Sequence, residues 1–191
     1  MTMQEICYEI ILRADEDLTI EYYKNRAESH FKSALCLLLS NEETGFLTSD
    51  YPTLVQTVKL VLGENCFMPN DIQSHCDLSI LRIIGAYHFS DSSNHCRGVK
   101  LTFSLVEFND ILNNKMTKTD VYSYLCYVGD KLLIFPFYED CYISYIRSLT
   151  NNDPIFREQL DKHFSLRFLN ACIDTAVIGF KREVTLQEFS R

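Results

Sequence analysis

Tryptophan is absent from the chain, and glycine and proline are scarce, with six and four copies in 191 residues. No two glycines are spaced as GxGxxG or as a P-loop, so a glycine-rich cradle for phosphate is excluded. The GxSxG and HExxH signatures are missing as well. Basic clusters are lacking too. No run of Lys and Arg is longer than a dipeptide such as Lys181-Arg182, and the formal net charge is -8. A field of that sign repels phosphate backbones, so no nucleic-acid partner is expected. No apolar stretch approaches the ~18–20 residues needed to cross a bilayer, so no membrane role is expected either.

The opening "MTMQEICYEI" carries Glu5 and Glu9 and lacks the basic start and apolar run of a signal peptide. Eight cysteines in such a chain read as reduced thiols of the cytoplasm or nucleus. They stand at 7, 36, 66, 76, 96, 126, 141 and 172, too dispersed for a disulfide scaffold or a zinc ribbon. Small buried hydrophobes are the simpler reading.

What is present is ordinary globular material, 47% hydrophobic and 23% charged. There is no repeat and no linker rich in Pro, Gly or Ser. Residues 1–191 therefore read as a single compact α+β domain, an antiparallel sheet with packed helices. Aromatics make up 13% without any Trp, so Phe and Tyr must fill the core.

Hydrophobic spacing places the elements. Ile6, Tyr8, Ile10 and Leu12 alternate with polar neighbours and predict a strand, with "LTIEYY" (18–23) returning as its hairpin partner. Thr2-x-x-Glu5 as a capping box is the competing, helical reading. Residues 25–40 put Ala27, Phe31, Ala34, Leu35 and Leu38 on one helical stripe. In "TLVQTVKLVLGEN" helix and buried strand are hard to separate. Val99, Leu101, Phe103 and Leu105 alternate clearly, which predicts a long hairpin over residues 78–108. "TKTDVYSYLCYVG" predicts a helix ending at Gly129, and "KLLIFPF" a strand that Pro136 pushes to a sheet edge. "EDCYISYIRSLT" and "DPIFREQLDKHFSLRFLNAC" predict helices, the second capped by Asp153 with Pro154 in its first turn. "AVIGFKREVTLQEF" predicts a final extended segment.

Chemistry-bearing residues are sparse. Two His-Cys dipeptides, His75-Cys76 and His95-Cys96, flank His88, with Cys66 upstream. Zinc ligands usually pair two to four residues apart, and adjacent strand residues point to opposite faces. The stretch reads as a hairpin, and no metal or other cofactor is expected. A catalytic thiol needs an electropositive, part-exposed setting. Cys36, Cys126 and Cys172 lie in apolar segments, which leaves Cys96 beside Arg97 as the best candidate. Asp161 and His163 are two apart and would not face each other on a helix, so His163 reads as a helix-surface residue. The densest feature is aromatic: Tyr122, Tyr124 and Tyr127, then Phe135, Phe137, Tyr138, Tyr142 and Tyr145. Rings at this density read either as core or, where exposed, as the anchors enriched at protein interfaces.

"VQTVKLVLGENCFMPNDIQSHCDL" (55–78) resembles the central strand–turn–strand of the HORMA-domain family, through Val55, Gln56, Val58, Leu60, Val61, Leu62, Gly63, Asn65 and Pro69. "LRFLNACIDTAVIGFKREV" (166–184) is distantly similar to that family's C-terminal segment. The resemblance implies a non-enzymatic adaptor that grips a partner peptide through a mobile C-terminal segment.

The residues themselves point the same way. The expected function is a non-catalytic protein–protein interaction module, an adaptor or a subunit of a homo- or hetero-oligomeric complex. Residues 131–146 are its expected contact surface, by edge pairing of "KLLIFPF" and by Phe135, Phe137, Tyr138, Tyr142 and Tyr145. On a helix beginning near Glu139, Tyr142 and Tyr145 would share a face. A small thiol-dependent enzyme is the alternative.

Overall fold

A computed structural model describes residues 1–14, 19–68, 71, 73–90, 97–100, 102–103, 124–135 and 140–188. The fold is α+β: among the described residues the α-helices lie within residues 3–40 and 166–188 and the strands within residues 55–147. Contacts group it into two compact units: Met1–Val55 with Leu149–Arg191, and Gln56–Ser148.

The first unit is helical. Helix α1 spans Met3–Ala14, α2 Ile20–Ser40 and α3 Leu166–Glu188. The strand expected at the N-terminus is a helix, and the capping box decides it. Thr2 N–H donates to Glu5 Oε2 at 2.7 Å, and Glu5 N–H donates to Thr2 Oγ1 at 3.3 Å. Alternation would have buried Tyr8 and Leu12, which are exposed. The buried set is instead Ile6, Cys7, Ile10 and Ile11, a helical stripe that packs on α2 and α3. "IEYY", expected as the return strand, forms the first turn of α2. That helix buries Ala27, Phe31, Ala34, Leu35 and Leu39, with Leu38 only half-buried.

The expected extended segment after residue 175 is also helical, because α3 continues to Glu188. Phe168, Leu169, Cys172, Ile173, Ala176 and Phe180 form one buried helical face. Gly179 allows α2 to approach: a Cβ there would stand 2.9 Å from His30 Nδ1. Ser165 caps the helix, accepting from Phe168 N–H at 3.2 Å. Around Phe168 gather Phe46, Tyr51 and Phe164, with ring centroids 5.0–5.6 Å apart. Phe and Tyr thus do fill this core. Residues 154–162, expected as helix, form two 3-10 turns, Pro154–Arg157 and Leu160–Lys162. Asp153 caps the first of them, accepting from Ile155 N–H.

The second unit holds strands β1 (Val55–Lys59, from its second residue on), β2 (Ile80–Ser90), β3 (Arg97–Lys100), β4 (Thr102–Phe103), β5 (Tyr124–Val128), β6 (Lys131–Phe135) and β7 (Cys141–Arg147). They form one sheet in the order β1-β7-β2-β3 and another in the order β4-β5-β6. The expected hairpin is present where β2 meets β3 antiparallel, from Tyr87 opposite Lys100 to Ser90 opposite Arg97. Residues 91–96, 101 and 104–108 of the expected span lie outside the described residues.

Two expected helices are strands. Residues 124–128 of "TKTDVYSYLCYVG" form β5, while 117–123 are outside the described residues. Gly129 and Asp130 make a two-residue turn into β6, with Gly129 at φ 63° as primed hairpin turns require. "CYISYIR" is β7, in which Cys141, Ile143 and Tyr145 are buried and Tyr142 and Ser144 half-buried. That alternation is the mark of a strand.

Of the two HORMA-like stretches, 55–78 contains β1 followed by a tight turn in which Gly63 N–H donates to the Cys66 carbonyl at 2.8 Å. The stretch 166–184 lies within α3. No described helix is long and apolar enough to cross a membrane.

Candidate interaction surface

Strand parity separates the tyrosines expected to act together. Three residues apart on a strand, Tyr142 and Tyr145 fall on opposite faces of β7, so the shared helical face expected for them does not exist. Tyr145 is 4% exposed and belongs to the core with Ile83, Ala86 and Ile143. Its hydroxyl donates to Gln56 Oε1 at 2.7 Å, and burial raises its pKa. Phe135 ends β6 and is half-buried. Phe137 and Tyr138 lie outside the described residues.

The edge expected at "KLLIFPF" is occupied in part. Strand β6 ends its sheet, but Phe67 already bonds to it. Phe67 N–H donates to the Leu132 carbonyl at 2.9 Å, and Ile134 N–H donates to the Phe67 carbonyl at 3.0 Å. Buried Leu132, Leu133 and Ile134 make this strand a core element.

Tyr142 finds a different neighbour. It stands directly opposite Tyr87 in the β2–β7 ladder, on the face turned away from the unit's core. Tyr87 is 37% exposed and Tyr142 half-buried. The Tyr87 ring folds back against Gly85, where a Cβ would come within 2.6 Å of its hydroxyl. Gly85 in turn pairs with Ser144, whose hydroxyl meets Thr57 Oγ1 on β1 at 2.8 Å. Leu60 N–H donates to the Cys141 carbonyl at 2.7 Å. Numbering falls on β7 as it rises on β1, so the pair is antiparallel and Lys59 comes opposite Tyr142. Lys59 forms an ion pair with Asp140. The outer face thus carries the row Lys59, Tyr142 and Tyr87 beside the small row Thr57, Ser144 and Gly85. Neither Tyr87 nor Gly85 was among the residues expected to matter. The Tyr87–Tyr142 pairing joins positions 55 apart in sequence, a relation that no local pattern carries.

The candidate chemistry is dispersed. His75 is exposed and its Nδ1 meets Asp130 Oδ2 at 2.7 Å, a bond that lowers the Asp130 pKa. Cys76 points the other way, 8% exposed, and its Sγ–H donates to the Asn65 carbonyl at 3.1 Å. Cys66 is buried in the same core, only the backbone of His88 is described, and His95 and Cys96 fall outside the described residues. No group of three or more His, Cys, Asp or Glu among the described residues is arranged to hold a metal ion.

Five thiols among the described residues are shifted away from activation. Burial first, then the neighbouring Cys141 and Cys76, pushes Cys66 up to about 12. Burial with Glu28 nearby takes Cys7 to about 11. Cys36, Cys76 and Cys172 are raised as well, chiefly by burial. A nucleophilic thiol needs the opposite shift.

His163, expected on a helix surface, follows a 3-10 turn. It bridges Glu158 Oε2 at 2.9 Å and Thr53 Oγ1 at 3.1 Å, while Asp161 pairs with the Met1 amino group. Hydroxyl, imidazole and carboxylate in series have the order of a nucleophile relay. Here the ring fastens the turn at Pro52–Leu54 to the one around residue 158. A cavity of about 280 Å³ in this unit lies elsewhere, lined by Asn25, Glu28, Ser29, Lys32 and Asn151.

No family model matches the chain, and no curated protein matches it.

Proposed function

We propose that the chain is a non-catalytic protein–protein interaction module of the cytoplasm or nucleus, acting as an adaptor or a subunit of a larger complex. The observation that carries this reading is the Tyr87–Tyr142 pair on the outer face of the four-stranded sheet. Two adjacent rings on a rigid sheet offer large contact area at little conformational cost, the property that makes tyrosine common at interface centres. Lys59 and the hydroxyls of Thr57 and Ser144 supply a polar surround. The raised pKa values of Cys7 and Cys66 and a partnered His163 weigh against these groups as the centre of a thiol enzyme. The HORMA resemblance adds a peptide-gripping adaptor as the more specific form of the same reading.

The test is affinity capture from the native cell with wild type, Tyr87→Ala and Tyr142→Ala, and a melting curve for each. Loss of a co-purifying protein by both variants with unchanged melting supports the surface. Retention of every partner by both variants overturns it. One cysteine that reacts with iodoacetamide far faster than a free thiol would favour the enzyme instead.

A further inference from the structure

We draw no further inference here: the strongest candidate, the exposed Tyr87–Tyr142 face of the four-stranded sheet, belongs to the surface already described, and nothing in the structure shows what covers it.

Discussion

The Tyr145 hydroxyl donates to Gln56 Oε1 at 2.7 Å, and this bond ties the core face of β7 to β1. It makes Tyr145 a structural residue, where its neighbour Tyr142 is a surface one. Tyr145→Phe removes only the hydrogen bond and is expected to cost about 0.5–1.5 kcal/mol. Tyr145→Ala removes a buried ring and should cost about 3–5 kcal/mol. Tyr142→Ala should stay below about 1.5 kcal/mol. Urea midpoints rank the three, and a Tyr142 variant as unstable as Tyr145→Ala would refute the assignment of faces.

Gly179 gives a test of the α2–α3 contact. Alanine is the better helix former by about 1 kcal/mol, yet Gly179→Ala should destabilise by about 1–3 kcal/mol through overpacking. The added Cβ meets His30, whose ring is held by Glu183 at 2.6 Å and packs on Phe180. In a His30→Ala background the obstacle is gone, and Gly179→Ala should become neutral or stabilising. Equal costs in both backgrounds would show that the two residues do not meet.

Buried thiols predict an alkaline weakness. Their folded-state pKa values lie above the unfolded ones, so the folded chain holds its protons longer. The stability they contribute is full below the ordinary thiol range near about pH 8.5. It is lost as pH climbs toward about 11 for Cys7 and about 12 for Cys66. Denaturant midpoints should therefore fall between about pH 8 and pH 10, and the fall should be shallower in Cys66→Ala. A flat profile in the wild type would contradict the burial of these groups.

Thr2→Ala should weaken α1 by about 1 kcal/mol, because it leaves the Glu5 N–H without its cap. Thr2→Ser should restore most of the loss. Thermal melts followed by far-ultraviolet circular dichroism measure both, and no difference between Ala and Ser would remove the capping box from the account of this helix.

Legibility followed the range of the signal. Helix α2 and the β2–β3 hairpin were readable because one side-chain period fitted each and a polar loop separated the hairpin strands. Residues 3–14 fitted two periods, and burial against α2 and α3 chose between them. For β5 a local signal does exist, because Gly129-Asp130 between Val128 and Lys131 is a two-residue hairpin turn. In β7, the alternation of Cys141, Ile143 and Tyr145 competed with a helical i, i+3 reading of Tyr142 and Tyr145. The candidate surface was half legible. Tyr142 was singled out, whereas Tyr87 joins it only through sheet pairing.

Because the helical unit joins residues 1–55 to residues 149–191, it cannot close until the second of these segments has been made. Helices α1 and α2 emerge first, with Ile6, Ile10, Phe31 and Leu35 bare until residues 166–188 leave the ribosome. At common rates of synthesis that wait is on the order of ten seconds. Through it, the apolar faces of the two helices that α3 will cover stay open to self-association. Nonsense or frameshift lesions between residues 40 and 166 should therefore yield aggregates rather than a shortened working protein.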